Sequence, residues 1–149
     1  MSKIHSTAVI EDGAKLGADV EIGPYCYIGS GVTLGDGVIL KPHVVVDGQT
    51  AIGEKTRVYS FASLGEGPQV RGHDDETTTL VIGANNEIRE HVTIHPGSAN
   101  GRRQAIIGDN NLFMVGVHIA HDCIVGDNVP FASKATIRGS ETVVNSSHP

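Results

Sequence analysis

With 149 residues, 11 Lys/Arg against 17 Asp/Glu and a net charge of −6, the chain lacks the basic surplus that nucleic-acid binding needs. No apolar run reaches membrane-spanning length, so no transmembrane segment is expected, and Met1-Ser2-Lys3-Ile4 leads directly into the first repeat without a signal-peptide pattern. These features place the protein in the cytoplasm.

The repeat begins at Ile4. Every sixth residue is then Ile, Leu or Val: Ile4, Ile10, Leu16, Ile22, Ile28, Leu34, Leu40, Val46, Ile52, Val58 and Leu64, eleven in succession. A period of six matches neither the 3.6 of a helix nor the alternation of a strand, but a short strand plus a turn fits it. Three such hexads close a three-sided coil, and short internal periods mark solenoids. Gly often follows the aliphatic residue, as at Gly17, Gly23, Gly29, Gly35 and Gly53, where it is expected to supply turn conformations. Four positions after the aliphatic residue the side chain is small or β-branched, as at Val20, Cys26, Val32, Val38 and Ala62, which suits the corners.

The phase breaks twice and returns each time, at Ile82, Ile88 and Ile94, then at Ile107, Phe113, Ile119, Val125, Phe131, Ile137 and Val143. Residues 65–81 and 95–106 are polar and out of register, so they read as loops ejected from the wall. Long loops on a rigid scaffold are frequent sites of function. The whole chain, 1–149, is expected to form a single all-β domain of about seven coils, with a degenerate last coil over 137–149. At ~4.8 Å per coil the prism would be roughly 30 Å long, stabilised by the stacking of neighbouring repeats.

Cys26 and Cys123 both fall at small-residue corner positions about four layers apart, roughly 20 Å at ~4.8 Å per layer, which excludes a disulfide between them. Buried thiols acting as small hydrophobes are expected. Chemistry points instead to three of the eight histidines: His95, which opens the second loop, and His118 and His121, which flank the inward Ile119. Alternation places a His beside an inward Ile on the outer face or at a corner. Asp122 directly follows His121 and could orient or charge-stabilise it. Spacing alone leaves two readings open, a catalytic group or outward histidines bonding along a wall.

In order, IHSTAVIEDGAKLG, IGPYCYIG, LKPHVVVDGQTAIG, FASLGE, IREHVTIHPG and HIAHDCIVG resemble the acyl-[acyl-carrier-protein]–UDP-N-acetylglucosamine O-acyltransferases of lipid A biosynthesis. The resemblance runs from residue 4 to about 137, with loops in the same places. It implies a left-handed parallel β-helix, against the usual right-handed crossover, assembled as a homotrimer with sites between subunits. The implied reaction moves a 3-hydroxyacyl group from acyl carrier protein to the 3-hydroxyl of UDP-N-acetylglucosamine, with no metal and no cofactor. Carried over by position, His121 is the general base, Asp122 its support and Gly139 the oxyanion donor through its backbone N–H. Gln69, His95 and His118 become substrate-binding residues.

The departures from the family pattern are also specific. Where its first loop carries Gln-Asp-Leu-Lys, this chain has Gln69-Val70-Arg71-Gly72. Where it carries Ala-Gly-His-Val, this chain has Arg138-Gly139-Ser140-Glu141, with a charge at an expected inward corner that would strain the last coil. The family continues through further coils and a C-terminal helical domain that is absent from this sequence, so impaired activity is expected.

Two other readings accompany this one. A non-catalytic, vestigial trimeric module could dock the acidic acyl carrier protein through Arg57, Arg89, Arg102 or Arg103, side chains that otherwise form a solvated rim. A zinc-dependent hydratase of the carbonic-anhydrase type could draw His95, His118 and His121 into a metal site, although the paired histidines of that family stand five residues apart rather than three.

Overall fold

The computed structural model describes residues 1–71 and 77–144; Gly72 of the altered loop and residues 145–149 of the expected last coil lie outside them. The described chain winds as a left-handed parallel β-helix. Its strands form three parallel sheets of seven, which begin at Lys3–Ile4, Val9–Ile10 and Lys15–Leu16. The register follows the hexads: Lys3 and Ile4 pair with Glu21 and Ile22, and Ile22 with Leu40, three hexads further on each time. The aliphatic residue of each hexad therefore stacks on its equivalent in the next coil. Ile28, Leu40, Val46, Leu64, Ile94 and Ile119 are all but inaccessible. Near one end the column becomes aromatic, with Phe113 and Phe131 stacked at 4.9 Å. No helix among the described residues is long and apolar enough to cross a membrane.

Gly65, which follows Leu64, takes the expected turn conformation at φ 90°, but most glycines in that position do not. Left-handed backbone falls on the third residue after the aliphatic one, at Asp19, Tyr25, His43, Lys55, Phe61, Asn85, His91 and Asp122, with φ between 56° and 67°. Gly17, Gly23, Gly29, Gly35 and Gly53, which follow the aliphatic residue directly, are absent from that region. Their requirement is steric: a Cβ on Gly35 would lie 2.8 Å from the Glu54 nitrogen, and one on Gly53 would lie 2.5 Å from the Gly83 carbonyl carbon. Coils stacked this closely leave no room for a side chain there.

Left-handed backbone costs an ordinary residue roughly 1 kcal/mol, and one corner offsets this by ring stacking. Tyr25, His43, Phe61 and His91, from successive coils, form a ladder with centroid spacings of 5.2, 5.0 and 5.3 Å. Another corner is held from inside by amides. Asn86 donates to the Gly83 and Gly108 carbonyls and accepts from the Asn111 N–H, so a polar side chain in a small-residue slot is fully satisfied.

Cys26 and Cys123 are free and buried, as the corner positions suggest. Burial pushes both thiols above their ordinary pKa. Glu141 corrects an expectation. It occupies the corner slot that Cys123 fills one coil below, yet it is exposed, with its carboxylate 3.6 Å from Arg138. The corner is not enclosed in this final described coil, so the charge stays in water and imposes no burial cost. Strands also reach back into both expected loops. Thr79–Ile82 pairs with Gln49–Ile52 on one side and Gln104–Ile107 on the other, so 79–81 and 104–106 belong to the wall.

Candidate active site

The site is built where the second loop meets the His118–Ile119 strand. Ile119 stacks inward on Ile94, which turns its neighbour His118 outward beside its register partner Thr93. The His118 Nδ1 and Thr93 Oγ1 atoms are hydrogen-bonded at 2.7 Å. His95 leaves the Thr93–Ile94 strand and is 8% exposed. Its Nδ1 lies 2.9 Å from the Glu66 carbonyl, which can only accept, so Nδ1 carries the proton. The rings of His95 and His118 meet edge to face at 5.2 Å. Burial first, then the charge of His95, lowers the His118 pKa, so this imidazole is neutral near pH 7.

His121 lies in the corner that follows, and the adjacency with Asp122 proves to be a contact: Nδ1 is 2.8 Å from Oδ2. The Asp122 side chain is completely buried while that of His121 is partly open. Burial alone would raise the Asp122 pKa. Hydrogen bonds from Ser98 and His121 outweigh it and hold the carboxyl below its ordinary value. An ionised carboxylate accepts and does not donate, so Nδ1 of His121 carries a proton, and in the neutral imidazole the lone pair is on Nε2. Gly139 lies directly against this ring. A Cβ built on Gly139 would lie 2.5 Å from both Cε1 and Nε2 of His121. The Gly139 N–H makes no hydrogen bond to any described residue.

Every polar group of Asp122 is occupied, mostly by the second loop. Its N–H donates to the Pro96 carbonyl at 3.3 Å, and its own carbonyl accepts from Arg102 at 2.5 Å. Oδ1 accepts the Ser98 N–H at 2.8 Å, and Oδ2 is shared by the Ser98 hydroxyl at 2.5 Å and His121. Pro96, Gly97 and Ser98 are buried, so the first half of this loop is folded against the coil and not ejected. Gly101 permits the approach, because a Cβ there would run into Oδ2.

Of the six residues singled out in the sequence, five fall into two adjoining groups: His95 with His118, and His121 with Asp122 and Gly139. Gln69 does not join them. It is exposed on the first loop and bonds to none of the five. Ser98, Gly101 and the loop-pinning role of Arg102 are additions; the only sequence signal is a run of small residues in PGSANG. Arg102 and Arg103 are exposed yet tied down, Arg102 bonding to the Asp122 carbonyl and Arg103 donating to the Ala99 carbonyl and the Thr77 hydroxyl. Arg89 is paired with Glu90 and lies over the Tyr59 ring at 4.1 Å. Among the described residues of one chain, no three His, Cys, Asp or Glu side chains are grouped to hold a metal ion.

Residues 1–35, 13–48 and 104–139 match the bacterial transferase hexapeptide family (six repeats), and the chain belongs to that family. Its likeness is narrower than that class. Over 122 residues it is 56% identical to the acyl-[acyl-carrier-protein]–UDP-N-acetylglucosamine O-acyltransferase of Rickettsia peacockii and 55% identical to that of Rickettsia typhi. Each alignment covers 82% of this chain and 46% of the relative, so the chain spans about half the length of the curated relatives it matches. The structure of LpxA from Acinetobacter baumannii aligns with a TM-score of 0.91 at 48% identity, covering 93% of this chain and 54% of that one. UDP-N-acetylglucosamine acyltransferase from Campylobacter jejuni gives 0.89 at 42% identity, with the same coverage. The resemblance carried by TIH and HIAHDC therefore holds through fold and sequence together.

Proposed function

We propose that this chain transfers a 3-hydroxyacyl group from acyl carrier protein to the 3-hydroxyl of UDP-N-acetylglucosamine, the first step of lipid A biosynthesis, as a homotrimer in the cytoplasm. The observation that carries this reading is the His121–Asp122 pair, in which Asp122 holds Nδ1 and leaves Nε2 of the neutral, partly exposed imidazole as the basic nitrogen against the glycine backbone. The likeness to O-acyltransferases supplies the reaction class and substrates.

In this reading Nε2 of His121 takes the proton of the sugar 3-hydroxyl as its oxygen attacks the thioester carbonyl. The imidazolium that forms faces the buried Asp122 carboxylate across 2.8 Å. The tetrahedral oxyanion is met by the Gly139 N–H. Collapse breaks the carbon–sulfur bond, and the carrier thiolate leaves with the proton returned from His121. His118, kept neutral by burial, and His95, its Nδ1–H held by the Glu66 carbonyl, line the nucleotide-sugar side as hydrogen-bonding groups. Gln69 on the first loop contacts the sugar, while Val70 replaces a carboxylate there and weakens substrate binding.

The test is direct. The purified chain, at high concentration, is incubated with 3-hydroxyacyl-carrier protein and UDP-N-acetylglucosamine, and the acylated nucleotide sugar is followed by mass spectrometry. Product formed in proportion to protein supports the reading, and its absence overturns it. Light scattering at the mass of three chains, against one or two, decides the trimer.

A further inference from the structure

Ser98 makes two of the three hydrogen bonds to the Asp122 carboxylate, one from its N–H to Oδ1 and one from its hydroxyl to Oδ2, the oxygen that also holds His121. With 7% of its surface accessible, it approaches from a loop that the repeat does not dictate. We infer that Ser98, clamped by Gly101 and Arg102, is a positioning residue that fixes the Asp122 carboxylate and through it the Nδ1–H tautomer of His121. This deepens the acyltransferase reading and rests on it for its catalytic consequence, while the hydrogen bonds to the carboxylate do not depend on it.

A carboxyl group can rotate about its Cβ–Cγ bond, and rotation would withdraw Oδ2 from His121. The Ser98 N–H holds one oxygen and its hydroxyl the other, so rotation breaks both bonds together. The Arg102 guanidinium on the Asp122 carbonyl and the Pro96 carbonyl on its N–H fix the backbone at φ 61°, which an ordinary residue does not favour. Among the described residues, the charged or titratable groups adjoining this carboxylate are His121 and Arg102, with the buried Cys123 thiol next in the chain. With only one of these, His121, bonded to the carboxylate, loss of the Ser98 hydroxyl leaves the Asp122 anion with less stabilisation.

The experiment compares wild type, Ser98→Ala and Ser98→Thr by nitrogen-15 NMR of the histidine side chains across pH, with transfer rates measured alongside. Wild type and Ser98→Thr are expected to show His121 as the Nδ1–H tautomer. In Ser98→Ala the tautomers mix and the acid titration of Asp122, reported by His121, moves to higher pH. The turnover rate is expected to fall roughly 10- to 100-fold, with KM within about twofold, because a misplaced base loses transition-state geometry. Gly101→Ala, whose methyl would meet Oδ2, should move the same signals if Ser98→Ala fails to fold. An unmoved tautomer and Asp122 titration in Ser98→Ala would overturn the inference whether or not the wild type transfers acyl groups. A wild type that holds the tautomer but transfers nothing would overturn the enzymatic reading alone.

Discussion

The two interruptions of the hexad look alike in sequence, polar and glycine-containing, yet they do opposite things. The first, leaving the Ser63–Leu64 strand, carries Gln69, Val70 and Arg71 into solvent. The second turns back on the coil, buries Pro96, Gly97 and Ser98 and supplies four of the five hydrogen bonds to Asp122. The difference lies in close approach. Gly97 and Gly101 sit where a Cβ would collide with the Gln104 nitrogen and with the Asp122 carboxylate, so the chain can be laid flat against the wall. Glu66 joins the two regions through its carbonyl on His95. On the proposed reading the acid–base chemistry leans on the second region, while Gln69 of the first contacts substrate.

The sharpest way to break that assignment is Asp122→Asn. A carboxamide keeps the shape but removes the charge that fixes the His121 tautomer, and the turnover rate should fall by about 10²–10⁴ with the fold intact by circular dichroism. Gly139→Ala comes next. Its methyl would fall 2.5 Å from Nε2, displacing the ring or the backbone N–H, and a loss on the order of 10² in kcat/KM is expected from steady-state rates.

Acid should then loosen the second region in two stages, read as melting temperature against pH. His118 has a lowered folded pKa, so its contribution is complete above its ordinary 6.5 and declines as pH falls below it. Asp122 is also depressed, so its contribution is complete above its ordinary 3.8 and is lost as pH falls through the folded value. His118→Gln should remove the first stage only. The smallest effect belongs to the first loop: Gln69→Ala should raise KM a few-fold, about 1 kcal/mol of binding, and leave kcat within twofold. A larger kcat effect at Gln69 than at Gly139 would reverse the comparison.

The coil is legible in the sequence because its signal is a period, and a period resumes after an insertion: Ile82 stands three hexads beyond Leu64, and the hexads restart at Ile107 after the second loop. The need for glycine is legible but its reason is not. Spacing marks Gly17 or Gly53 as special without telling a left-handed turn from a carbonyl one coil away, and the left-handed positions fall to Tyr25, His43, Phe61 and His91, where ring stacking sustains them. His121 and Asp122 stand out by adjacency, and resemblance gives them roles. Ser98 does not stand out, because a loop's contact with a wall depends on its own fold, which the hexad leaves undetermined. Glu141 departs from expectation for a related reason: an inward slot encloses a side chain only where the coil around it is closed.

The most direct measurement is acyl transfer by wild type and His121→Ala at matched concentration, with both proteins shown to melt as folded species. The expected result is measurable product from the wild type and a loss of at least about 10²-fold in the variant. Equal rates from the two proteins would contradict the assignment of His121 as the base.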